Sequence, residues 1–119
     1  MATLTVQNVT KNGVDITHAA AAAGGDEFAN DSSQRTFFSV INASGAPITV
    51  TIATQSATVS TAEYGTLAQA SIAYSVGAGE TSMLGPFNNK LFNNTNSRVA
   101  VTYSGVTTLT VAAINLGYP

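Results

Sequence analysis

Few side chains in this sequence are of the kind that do chemistry, and their spacing decides what they can do. There is one histidine, His18, with Asp15 three residues before it. A histidine acting as a general base needs a nucleophile within reach and a third group to orient it. In an extended chain, positions three apart point to opposite faces, so Asp15 does not orient His18. Serines are plentiful, but no Gly-x-Ser-x-Gly elbow presents one. Asp26, Glu27, Asn30 and Asp31 carry oxygen donors suited to calcium. They lack the EF-hand spacing of alternating acids, a central glycine and a late glutamate. The expectation is therefore no catalytic, cofactor or metal site, and a solvated acidic loop around these residues. The chain is not expected to be an enzyme.

One short motif points elsewhere. Gly24-Gly25-Asp26-Glu27-Phe28 resembles the signature of the diguanylate cyclases, whose glycines approach the nucleotide and whose acidic pair helps hold magnesium. The resemblance stops at five residues. The catalytic domain of that family is longer and alternates helices with strands, and this chain does neither. The preferred reading is a glycine turn feeding a short extended piece whose Phe28 plugs into the core.

The elements that position these residues repeat with a period of two. Leu4 and Val6 alternate with Thr3, Thr5 and Gln7, and Val14 and Ile16 with Asp15 and Thr17. Ile48, Val50 and Ile52 alternate with Thr49 and Thr51, Val99, Val101 and Tyr103 with Ala100 and Thr102, and Leu109 and Val111 with Thr108 and Thr110. Branched apolar residues on one pleat face and threonine on the other describe half-buried antiparallel strands. Asn12-Gly13, Ser44-Gly45-Ala46-Pro47, Gly77-Ala78-Gly79, Gly85-Pro86 and Ser104-Gly105 punctuate them, and Asn12-Gly13 is the strongest hairpin signal. These features predict a single all-β domain over residues 1–119, an antiparallel β-sandwich or compact β-barrel of about seven to eight short strands.

Two segments break the pattern. His18 to Arg35 carries five consecutive alanines, a glycine pair and three acidic residues, and is expected to be an arm or long loop. Small alanine side chains permit close backbone approach, so Ala19 to Gly25 is expected to lie across a neighbouring subunit, with Phe28 anchoring its base. Asn88 to Ser97 holds five asparagines and is expected to be a polar loop. The candidate partner contacts are Ala19, Ala20, Ala21, Gly24, Gly25, Asn93 and Asn94.

Composition excludes several classes of function. Only 8% of residues are charged, against roughly 25% in an average domain. Four Lys plus Arg cannot build a phosphate-binding patch, so no nucleic acid partner is expected. The longest apolar stretch, Ala19 to Ala23, is far short of the roughly 20 residues a membrane span needs, and no membrane partner is expected. The start, Met1-Ala2-Thr3, has neither a basic nor an apolar leader region, so no secretion signal is expected. Without cysteine, stability has to come from packing, backbone hydrogen bonds and subunit contacts. A neutral, Thr-rich surface also forgoes the repulsion that keeps copies apart.

The order of several pieces along the chain carries a second resemblance. Met1-Ala2-Thr3-Leu4-Thr5-Val6-Gln7 is followed by Gly25-Asp26-Glu27-Phe28-Ala29-Asn30-Asp31, then by Gly79-Glu80 leading to Gly85-Pro86-Phe87. Arg98-Val99-Ala100-Val101-Thr102-Tyr103-Ser104 and Leu109-Thr110-Val111-Ala112-Ala113 complete the series, while Thr58 to Val76 lies outside it. The series resembles small virion proteins of tailed bacteriophages, usually encoded beside the major capsid protein, of the head decoration or cement type. That resemblance implies a structural protein made in the host cytoplasm that binds the outer surface of the assembled head. Its partner would be the major capsid protein, and non-covalent contacts would stabilise the shell. A homo-oligomer is expected, a trimer at three-fold positions ahead of a dimer at two-fold positions. The alternative is another virion module, a tail or fibre component that touches a glycan.

Overall fold

The computed structural model describes residues 2–30, 35–55, 58–61, 65–68 and 70–116. Twelve strands and one short helix follow in order: β1 (Ala2–Leu4), β2 (Val6–Val9), β3 (Ala19–Ala20), β4 (Asp26–Ala29), β5 (Thr36–Asn42), β6 (Ile48–Ile52), β7 (Thr58–Thr61), β8 (Gly65–Ala68), β9 (Ile72–Val76), β10 (Thr81–Leu84), α1 (Asn89–Phe92), β11 (Arg98–Tyr103) and β12 (Leu109–Leu116). One sheet runs β1-β4-β11-β6-β9. The second runs β10-β5-β12-β2, with β3 pairing the same side of β12 further along, and β7-β8 form a separate hairpin. The two five-stranded sheets pack face to face as a sandwich, which resolves the choice left open between sandwich and barrel.

Alternation along the strands builds the core between the sheets. Ile48, Val50 and Ile52 of β6, Val99 and Val101 of β11, and Leu109, Val111 and Ala113 of β12 are all buried there. Their neighbours Thr49 and Thr51 are half-buried, and Thr102 is exposed. Aromatic rings fill the centre. Phe28 stacks on Phe38 with centroids 5.5 Å apart and meets Phe87 at 5.9 Å, while Phe87 meets Phe92 edge-on at 5.8 Å. Offset and edge contacts of this kind add to the stabilisation from area burial alone.

The structure corrects three expectations. The strands number twelve among the described residues, not seven or eight, because one period-two run is divided and β3, β4, β7 and β8 lie outside the alternating runs. The run from Ala2 to Val9 is one alternation in sequence but two strands in space. β1 pairs parallel with β4 in one sheet, and β2 pairs parallel with β12 in the other. The sheets are therefore mixed, not purely antiparallel. The Asn12-Gly13 hairpin does not form either. Gly13 makes the turn, at φ 93° and with its N–H on the Thr10 carbonyl at 3.0 Å, but Val14 to Thr17 is not a strand. The side-chain amide of Gln7 substitutes for the missing ladder, its Nε2 donating to the Thr17 carbonyl at 2.8 Å and its Oε1 accepting from Thr17 N–H at 2.9 Å.

The sequence points to an arm or long loop over residues 18–35. No arm leaves the molecule in the described part of this segment. Ala19 and Ala20 form β3 against Val111 and Thr110 of β12, and Ala21 N–H donates to the Leu109 carbonyl at 3.0 Å. Unpaired β12 edge satisfied by the nearest strand of the same chain explains the outcome. Gly25, at φ 95°, turns the chain into β4, which fills the place between β1 and β11.

Candidate interaction surfaces

The residues with chemical potential are mostly committed to holding the fold. Asp26 is 1% exposed and faces inward from β4, where its Oδ2 accepts from Tyr103 Oη at 2.7 Å and from Ala22 N–H at 3.2 Å. Burial, the hydrogen bond to Asp26 and the nearby negative charge all push the Tyr103 phenol above its ordinary range. Asp26 Oδ1 is buried without a protein partner among the described residues. Glu27, the next residue, points to the opposite face of the sheet, where Arg98 Nη1 donates to its Oε1 at 2.9 Å. Two carboxylates on opposite faces of one strand cannot share a metal ion, so the Gly-Gly-Asp-Glu-Phe motif does not assemble the site its spelling suggests. Phe28 is in the core, as expected. Asp31 lies outside the described residues.

His18 is half-buried, its Nε2 3.0 Å from Ser39 Oγ. Ser39 is itself buried on β5, opposite Ala112 of β12. Ala112 and Ile114 have the parity of the outer face yet are buried, because the segment carrying Thr17 and His18 crosses above them. The pair fastens that segment to the sheet. Among the described residues no carboxylate hydrogen-bonds His18.

Asparagines 93 and 94, proposed partner contacts, are spent inside the chain. Asn93 Nδ2 donates to the Asn30 carbonyl at 2.7 Å, and its Oδ1 accepts from Asn30 Nδ2 at 2.8 Å. Asn94 Oδ1 accepts from the N–H groups of Asn96 and Arg98, at 2.9 and 3.2 Å. The polar loop is thus a set of local caps around α1 and the start of β11. Ala19 to Gly25 leads into the Asp26 end of β4, whereas Asn93 packs on Asn30 beyond its other end. The structure does not bring the two candidate groups together. Ala19, Ala20, Gly24 and Gly25 differ in what they leave free: the side chains of Ala19 and Ala20 are exposed, with their backbone paired to β12, and the glycines form an exposed-to-buried turn.

Two surfaces were not singled out from the sequence. A recess of about 380 Å³ opens where the chain crosses between the sheets, lined by Leu4, Thr5, Gln7, Thr17, Ala19 and Ala112 among others. Hydroxyls, an amide and methyl groups surround it, with no titratable side chain. It suits shape recognition, not acid–base chemistry. The second is the flank where β9 and β10 end the two sheets. Tyr74 there is 45% exposed and Met83 is 59% exposed. The only signal in the sequence was an absence, since neither Ile72 to Val76 nor Thr81 to Leu84 contains a charged residue.

No protein-family profile, curated protein or solved structure matches the chain.

Proposed function

We propose that this protein is a bacteriophage head decoration protein that binds the outer surface of the assembled capsid through the major capsid protein and stabilises the shell by non-covalent contacts. One observation carries the reading. Asp26, Glu27, His18, Asn30 and Asn93 are tied into intrachain hydrogen bonds, and among the described residues the flank formed by β9 and β10 presents uncharged residues, with Tyr74 and Met83 exposed. Such a surface engages a partner by shape and backbone hydrogen bonding. The ordered sequence pieces from Met1 to Ala113 support the same role through their resemblance to small virion proteins.

Decoration requires no chemistry. A module that binds only the assembled shell stabilises it by mass action, and copies joined to one another gain from effective concentration when several capsomers are engaged together. Locating the protein in gradient-purified particles tests the reading. Labelling on the outside of intact heads, together with restoration of head thermal stability when purified protein is added back to stripped heads, is the expected result. Recovery only in tail or fibre fractions would transfer the protein to the alternative virion role. Absence from particles altogether would end both.

A further inference from the structure

The free edge of β9 has a geometry that selects its own partner. Ser104 N–H donates to the Thr49 carbonyl at 2.9 Å and Ala53 N–H to the Ala100 carbonyl at 3.0 Å, so the odd-numbered residues from 49 to 53 turn their backbone groups toward β11. Ile48, Val50 and Ile52 therefore face β9, opposite Val76, Tyr74 and Ile72. In an antiparallel ladder, the residues between those bonded positions point their N–H and C=O groups the other way. Ala73 and Ser75 accordingly direct one donor and one acceptor each away from the sheet, and among the described residues no strand takes them up. Tyr74 sits between them, 45% exposed, on the pleat side it shares with Val50.

Natural edge strands are usually blunted by lysine, proline or a bulge. Ile72-Ala73-Tyr74-Ser75-Val76 contains none of these in its sequence, and its neighbours Ser71, Gly77 and Ala78 are also uncharged. The end of the strand is held in place by buried Asn42, whose Nδ2 donates to the Val76 carbonyl at 3.0 Å and to the Ala46 carbonyl at 2.9 Å. The edge is thus both open and preorganised.

We propose that β9 is a two-fold interface, pairing antiparallel with β9 of a second copy about Tyr74. The symmetry is inherent in the strand. With Tyr74 opposite Tyr74 of the other copy, Ala73 of each chain exchanges both backbone bonds with Ser75 of the other, and every outward group is satisfied. Tyr74 then occupies the non-hydrogen-bonded position, where facing Cα atoms approach to about 4.5 Å and side chains interact most closely. No charge opposes a like charge across the axis, and the chain's net charge of −2 adds little repulsion. A second copy is the occupant because the bond pattern about Tyr74 is itself two-fold symmetric, as an isologous contact requires. The pairing joins two five-stranded sheets into one continuous sheet. It favours the two-fold dimer over the three-fold trimer expected from shell symmetry, and it does not depend on the virion role.

Sedimentation of the full chain tests this, with circular dichroism melting to confirm that each variant folds. The wild type is expected to form dimers in the high micromolar range. Tyr74→Lys and Tyr74→Glu each place like charges directly opposite one another and should weaken association about tenfold or more. Mixing the two variants in equal amounts should restore a heterodimer, because opposite charges then meet across the axis. Ser75→Pro should give a folded monomer, since it removes an outward donor and no bond to β6. A monomeric wild type at several hundred micromolar, about the upper range of ordinary weak association, would overturn the proposal. So would an oligomer that the Tyr74 and Ser75 variants leave intact, or folded charge variants that fail to associate when mixed.

Discussion

Asp26 and Tyr103 show how a buried polar pair turns a loop into part of the fold. The carboxylate receives the phenol from β11 and the N–H of Ala22 from the turn before β4, so one side chain fastens three pieces of chain. Tyr103→Phe removes the phenol donor and leaves Asp26 with a poorer environment, a change of about 1–3 kcal/mol at neutral pH. The pair also makes stability depend on alkaline pH. Because the folded-state pKa of Tyr103 is raised, the unfolded chain, with a tyrosine pKa near 10, loses its proton first as pH rises. The unfolded state then binds fewer protons than the folded one, and stability falls above about pH 10. Urea midpoints measured from neutral to strongly alkaline pH should fall more steeply in wild type than in Tyr103→Phe. Parallel pH profiles would mean that Tyr103 ionises without unfolding. Phe28, packed between Phe38 and Phe87, belongs to the same scale. Phe28→Ala should cost about 3–5 kcal/mol, as deletion of a fully buried ring does, and a denaturant melt would register it.

At the scale of elements, the alanine run acts as a strand instead of a tether. Deleting Ala19 to Ala23 removes β3 from β12, the bond from Ala21 to the Leu109 carbonyl and the bond from Ala22 to Asp26. It also forces Gly24 toward His18, which is held on Ser39. The deletion should therefore lower the melting temperature by at least about 5 °C in the isolated protein. Unchanged melting with lost self-association would instead restore the reading of an intersubunit arm. The contrast between this segment and the central strands shows where sequence reasoning reached its limit. β6, β11 and β12 were legible because Val50, Val101 and Val111 alternate with threonine, and burial on one side follows directly from that period. β1 and β2 were legible as extended chain, but the switch of sheets at Thr5 leaves the alternation uninterrupted and so leaves no trace. The Asn12-Gly13 turn was legible, yet its pairing was not, because Gln7 reaches Thr17 through a side chain that propensity rules do not treat as backbone. The intrachain bonds of Asn93 and Asn94 escaped the sequence for a related reason. Asn93 and Asn94 look free in sequence, and only the tertiary position of Asn30 and the start of β11 reveals where their amides go.

The whole molecule is a slab of 45 × 35 × 22 Å with few charges on which an ionic interface could be built. Its four cationic and six acidic residues are not all available, since Arg98 and Glu27 are paired with one another. Exposed charge pairs contribute little and weaken as salt shortens the Debye length, from roughly 14 Å at about 0.05 M to about 3 Å at 1 M. A partner held through strand edges, hydroxyl groups and the apolar side chain of Met83 loses nothing by that screening, and apolar burial is not weakened by added sodium chloride. If the protein decorates a phage head, its retention should be nearly independent of salt. Particles washed across this range should keep their bound protein, as read by gel densitometry of the pelleted heads, while mild urea should release it by solvating apolar and peptide groups together. A steep loss of bound protein with salt would indicate docking through charges such as Lys11, Asp15, Glu80 and Lys90, the exposed ones among the described residues, and would move the shell contact away from the uncharged edges to the turns that carry them.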